Sequence, residues 1–243
     1  MKKFIIATVL FSLTFFSVNA QNWGNNKSIK GNGNVITVKR TTSDYNSIAV
    51  GGSFDVILIK GKEGNITIEG EENIIPYLET EVNGNTLKIG YKKNTNINTT
   101  EKMKVTVTVE TVEAISLGGS GNINADTIIK ADELSVNLGG SGNINLKVDA
   151  QEIESKIGGS GDINLSGNTN EISCAIAGSG SIKAYDLTTK IANATIAGSG
   201  SIKITVKDEI KAKIVGSGSV YYKGNPPRID TKSMGSGSVV DKN

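Results

Sequence analysis

The sequence predicts an all-β protein wound as a parallel β-helix, a solenoid with about 18–21 residues per coil. Three observations predict it. A Gly-Ser-Gly triplet returns seven times, beginning at Gly119, Gly140, Gly159, Gly178, Gly198, Gly216 and Gly235, in steps of 21, 19, 19, 20, 18 and 19 residues. Aligning the triplets puts residues of one class in phase. Period-two alternation also runs through the triplet, as Leu138, Gly140, Gly142 and Ile144 show, so that both glycines are expected to turn inward. A fixed period near 20 marks units that bury their apolar faces only by stacking on one another.

The columns carry the prediction. Leu134, Ile153, Ile172, Ala192, Ile210 and Ile229 fall in phase. Two residues on come the smaller Val136, Ser155, Cys174, Ala194, Ala212 and Thr231, then Leu138, Ile157, Ile176, Ile196, Ile214 and Ser233. Beyond the triplet stand Ile123, Ile144, Ile163, Ile182, Ile202, Val220 and Val239. Stacked a strand spacing apart (about 4.8 Å), these columns make one packed face, with polar residues alternating outward. An antiparallel meander with the triplet as a hairpin turn is the alternative. The β-helix is preferred because the triplet lies inside an apolar alternation, and glycine suits a bend that leaves no room for a Cβ. Length varies in polar segments such as 166–171 and 223–228, which are expected to be loops.

The chain opens with Lys2-Lys3, a largely apolar run from Phe4 to Phe16, and Val18-Asn19-Ala20 before Gln21. That is the pattern of a Sec-type secretory signal peptide over 1–20, placing the protein in the periplasm, on the outer surface or outside the cell. No later stretch has the length of apolar sequence a transmembrane helix needs. Without Lys2 and Lys3, Lys+Arg falls from 26 to 24 against 24 Asp+Glu. This balance gives no electrostatic footprint for nucleic acid.

An N-terminal segment (21–44) contains a β-branched strand at 35–38. From Tyr45, SIAVGGSFDVILIKG reads as two strands joined by Gly51-Gly52. Residues 65–69 and 86–91 alternate as strands, the second after an Asn83-Gly84 turn. Residues 71–81 around Pro76 suggest a short helix or turn, 92–102 a polar loop, and 103–112 a half-buried strand. The β-helix domain is thus expected over 45–243, with an N-terminal β part (45–113) and the triplet coils (114–243). The N-terminal part fits either a separate cap or the first coils.

The segments GGSFDVILIKG and NIIPYLETEV…LKIGY and the repeated GSGNI units resemble the putative auto-transporter adhesin, head GIN domain family of Bacteroidetes-type exported proteins. The resemblance spans roughly 45–240. It implies a single-stranded right-handed β-helix and, by fold analogy alone, an adhesin-like role. The chain shows no C-terminal run of alternating membrane-barrel strands after the repeats.

Catalytic chemistry finds little footing. There is no His, which removes the commonest general base and transition-metal ligand. Cys174 is the only cysteine, falls in the small inward column, and reads as packing rather than as a nucleophile. Calcium-binding glycine repeats need an Asp in every nine-residue turn; here Asp162 alone is acidic, with Asn122, Asn143, Ser181, Ser201, Ser219 and Ser238 in its place elsewhere. The triplets lack the helix and Lys-Ser/Thr of a phosphate loop. Carboxylates such as Asp126, Asp132, Asp149 and Asp186 lie in polar segments without a recurring acid–base pair. No cofactor or metal is expected.

The outward face of the bend is the one suggestive surface. Ser120, Ser141, Ser160, Ser179, Ser199, Ser217 and Ser236 form a ladder beside Asn122, Asn143 and Asp162. Such an array suits a repetitive partner, a glycan or a surface protein, although tight solvated bends accept small polar residues in any case. The reading is a non-enzymatic, exported, adhesin-like binding or structural module of the cell envelope. The alternative is a polysaccharide-active β-helix lyase or hydrolase. Self-association through an open coil end is a further expectation, since the last repeat stops near Val240.

Overall fold

A computed structural model describes residues 27–243; the expected signal peptide lies outside the described residues. The chain is a parallel β-solenoid whose coils turn at the triplets. Long strands β11 (Asn122–Gly140), β12 (Asn143–Gly159), β13 (Asp162–Gly178), β14 (Ser181–Gly198) and β15 (Ser201–Gly216) each run from one triplet to the next. They pair in parallel with their sequence neighbours, and the register joins Leu134 to Ile153, Ile172, Ala192 and Ile210. The other columns stack likewise. Isoleucine and leucine fill the column before the bend because a parallel sheet packed inward favours branched apolar side chains.

Most length differences are absorbed inside strands; only the extra residue of the last step falls in a loop, at 224–227. The first step is two residues longer than the second, and the surplus appears as a register shift between Asn124 and Ile128. The single extra residue of the fourth step appears between Asn164 and Gly167 against Lys183 and Leu187. Residues 166–171 therefore belong to β13, contrary to the loop expected there, because a bulge keeps the ladder hydrogen-bonded on both sides. Residues 224–227 are a true loop, separating β16 (Ser219–Lys223) from β17 (Arg228–Met234), after which β18 (Ser238–Asp241) ends the sheet.

Upstream, the strands are β1 (Lys27–Lys30), β2 (Val35–Thr41), β3 (Ser47–Gly52), β4 (Asp55–Lys60) and β5 (Asn65–Glu71). After a 3-10 turn at Ile75–Tyr77 come β6 (Leu78–Asn83), β7 (Thr86–Tyr91), β8 (Thr95–Asn98), β9 (Lys104–Val109) and β10 (Ala114–Gly119). The polar segment expected as a loop thus contains β8, which pairs in parallel with β1. The region around Pro76 is a single 3-10 turn running into a strand.

Stacking order and chain order part company here. β3 lies between β7 and β10, and β4 between β9 and the start of β11. The coil of residues 47–60 is therefore sandwiched between the coils of 86–109 and 114–125. Gly51 and Gly52 pair with Gly118 and Gly119, and Asp55 with Asn122, which makes 51–54 an eighth bend in register with the seven triplets. Beyond these coils β5 pairs antiparallel with β9, β2 with β5, and β6 with β7. Residues 45–113 hold both coils and an antiparallel cap.

Two polar anchors, one buried and one half-buried, tie the cap together. The Glu71 carboxylate, 1% exposed, accepts from Gly33 N (2.7 Å), Thr100 N (2.9 Å) and Thr100 Oγ1 (2.6 Å). The Arg40 guanidinium donates to the carbonyls of Leu78 (2.6 Å) and Ile75 (3.0 Å). One hydrophobic core runs from Tyr45 to Tyr222. At the far end the burial stops: every residue of β17 is exposed, including Ile229 in the inward column.

Candidate functional site

The bend is built by its backbone. The N–H groups of Ser141 and Gly142 both donate to the carbonyl of Gly119 in the preceding coil (3.0 and 3.1 Å), and Asn143 N donates to Gly121 O (3.1 Å). The pattern repeats at Ser160, Gly161 and Asp162. Gly142 is buried, and a Cβ there would strike the Gly121 carbonyl and the Leu117 side chain. Gly140 differs from the expectation that it turns fully inward. It is half-buried at the corner, and a Cβ there would strike the backbone of Gly119. The equivalent Gly178 has φ 137°, a conformation that side chains resist.

Because the backbone satisfies itself, the serine hydroxyls are left outside. Ser120, Ser141, Ser160, Ser179, Ser199, Ser217 and Ser236 are all exposed, one per coil in a line along the solenoid. None of these seven hydroxyls has a hydrogen-bond partner among the described residues. Beside them runs a half-buried column in which Asn122 Nδ2 donates to Asp55 (2.7 Å) and Asn143 Nδ2 to Asn122 Oδ1 (2.8 Å). Asp162 pairs with Lys183 at 2.6 Å, and Ser201 donates to Ser181 at 3.2 Å. A second amide ladder lies two residues on: Asn145 donates to Asn124 (2.7 Å) and Asn164 to Asn145 (2.6 Å). The ten residues singled out from sequence thus form two adjacent columns. The serine line has free hydroxyls, whereas the amide line largely satisfies itself.

A surface that sequence reasoning missed lies elsewhere on the solenoid. A shallow groove of about 1050 Å³ is lined by Glu113, Glu133, Glu152, Glu154 and Glu171 with Lys130. Glu133, Glu152 and Glu171 stand in one register column. Their spacing of 19 residues equals the repeat step, a signal that could have revealed them. Among the described residues, no three His, Cys, Asp or Glu side chains come together so as to hold a metal ion.

Cys174 is buried in the small column between Ser155 and Ala194, and burial pushes its thiol up to about 12. A thiol held neutral in an apolar stack is not a nucleophile. No helix among the described residues is long and apolar enough to cross a membrane.

The model of the putative auto-transporter adhesin, head GIN domain family matches residues 44–226, most of the solenoid. The chain belongs to this family. Solved structures agree with the assignment. A putative adhesin from Bacteroides fragilis is 25% identical, with a TM-score of 0.82 over 88% of this chain and 100% of that one. A putative lipid binding protein from Parabacteroides distasonis is 30% identical, with a TM-score of 0.75 over 89% and 100%. A putative adhesin from Parabacteroides merdae is 29% identical, with a TM-score of 0.72 over the same shares, 89% and 100%. Comparison with curated proteins finds no match.

Proposed function

We propose that this head GIN protein is a non-enzymatic, exported binding module whose ligand-facing surface is the serine line at the bends. The observation that carries the reading is the row of seven exposed hydroxyls, one per coil, none of them hydrogen-bonded within the described chain. Their repeat near 4.8 Å suits a partner with its own regular hydroxyls or amides, either a glycan or the edge of a surface protein. The family's adhesin description and the two adhesin relatives support the same class of function. Hydrogen bonds at such a surface compete with water, so each contributes little alone and affinity grows with the number engaged.

The experiment is binding of the purified protein to an array of bacterial and host glycans, with released fragments measured in the same samples. Retention without fragments is expected. Replacing Ser141, Ser160 and Ser179 together with bulky Gln should abolish retention and leave the fold intact. Fragment release would overturn the reading in favour of a polysaccharide-active enzyme, and retention unaffected by the triple substitution would move the site away from the serine line.

A further inference from the structure

The two ends of the solenoid are unlike. At the N-terminal end, both strands of the outermost coil are already paired by antiparallel cap strands, β7 by β6 and β9 by β5. At the other end β17 pairs only with β15, and its second edge meets nothing among the described residues. Ile229 is 52% exposed there and Met234 73%. An unpaired edge of this kind is a template for another strand. The cap fills the edges of the first coil, but its own outer strands β6 and β2 are each paired on one side only. Pairing of β17 against β6 or β2 is therefore the competing head-to-tail contact, which would build open-ended chains rather than dimers.

We propose that two copies of this chain associate tail to tail, β17 pairing antiparallel with β17 of the second copy about a two-fold axis at Thr231. The charge pattern selects this register. Ile229, Thr231 and Ser233 continue the inward columns, and Asp230, Lys232 and Met234 lie between them. Opposed residues in an antiparallel pair share a face, so inward residues must meet inward residues. Centring on Thr231 sets Asp230 against Lys232 twice and Ile229 against Ser233. Centring on Asp230 opposes Asp230 to itself and Arg228 to Lys232. Centring on Lys232 opposes Lys232 to itself. Centring on Ile229 also opposes Arg228 to Asp230 but pairs only residues 228–230. Of the registers that pair five or more residues of β17, only the one centred on Thr231 brings opposite charges together, and like charges directly opposed weaken strand pairing. The interface is isologous and closes after two copies, so it makes dimers rather than fibres.

The last coil also fits a reversible contact. Thr231 and Ser233 stand where Ala212 and Ile214 fill the coil below, so the open end tolerates water when unpaired. The association is independent of the adhesin reading.

Sedimentation equilibrium over a wide concentration range tests it. The purified protein should show a monomer–dimer equilibrium. Asp230→Lys and Lys232→Asp should each weaken dimerisation by about tenfold or more, because each opposes like charges twice. The double variant D230K/K232D should restore it, and a mixture of the two single variants should form heterodimers. Thermal melting checks that each variant is folded; Lys232→Asp sets a carboxylate beside Lys213 and should be well tolerated. A wild-type protein that stays monomeric at its highest soluble concentration overturns the proposal, as do folded variants that dimerise like wild type.

Discussion

Phe54 occupies, in the coil of residues 47–60, the position that Gly121 holds in the next coil, and its carbonyl accepts the Asn122 N–H at 3.2 Å. A Cβ on Gly121 would collide with that carbonyl. The buried glycine column thus begins on the backbone of Phe54, whose ring packs edge-on against Tyr91 with centroids 5.4 Å apart. Each later coil rests on the backbone of the one before, so the glycine requirement passes up the solenoid.

That contact predicts two opposite outcomes within a single triplet. Gly142→Ala forces a methyl group into the Gly121 carbonyl and Leu117 and should cost about 1–3 kcal/mol or more. Gly139→Ala has nothing within 4 Å of the new atom, and its column holds Ala177 and Ala197 in later coils. It should change stability by less than about 0.5 kcal/mol. Urea denaturation midpoints of the two variants check both.

Ser155 sits in the small inward column between Val136 and Cys174, fully buried, and its hydroxyl has no hydrogen-bond partner. Burying an unpaired hydroxyl costs free energy that an apolar group of similar size avoids. Ser155→Ala should therefore stabilise the protein by about 1 kcal/mol, read as a higher urea midpoint with an unchanged slope.

Glu71 makes the cap sensitive to acid. Burial by itself would raise its pKa, but hydrogen bonds from the Thr100 side chain and from backbone N–H groups of Gly33, Thr100 and Glu101 outweigh it and hold the group at about 2. The folded value lies below the unfolded value of 4.5, so the stabilisation is fully present above that pH and fades as pH falls toward about 2. Thermal melting across this window should show the loss in wild type and a flatter profile in Glu71→Gln, which starts from a lower melting temperature.

The amide column gives a fourth test. Asn143 lies between Asn122, to which it donates, and Asp162 in the next coil. Asn143→Asp removes that donor and sets two carboxylates side by side, and should cost about 1 kcal/mol at neutral pH. Asn143→Ser, which copies later members of the column, should cost less. Differential melting of the pair separates charge from the loss of the amide.

The coil columns were legible because alternation and a near-constant step are both local properties of the chain. Once residues of one class recur in phase, parallel stacking is the arrangement that buries them together, and Leu134 over Ile153 over Ile172 follows directly. The eighth bend at Gly51-Gly52-Ser53-Phe54 hid because Phe54 breaks the triplet pattern while keeping its register. The carboxylate column of Glu133, Glu152 and Glu171 hid because these residues lie outside the triplet and its apolar columns, on the polar side of the strands, where a spacing equal to the repeat is the only mark they carry.

By itself, then, the sequence determined the period, the inward columns and the exposed serine at each bend. Only the tertiary structure decided that residues 47–60 lie between 86–109 and 114–125, that bulges absorb most of the length differences, and that β5 and β6 pair the edges of the outermost coil while the edge of β17 stays open. Alternation says which face of a strand is buried and is silent about which edge meets which. Edge pairing between distant segments is settled by competition among all the strands at once, and that competition is a property of the folded chain.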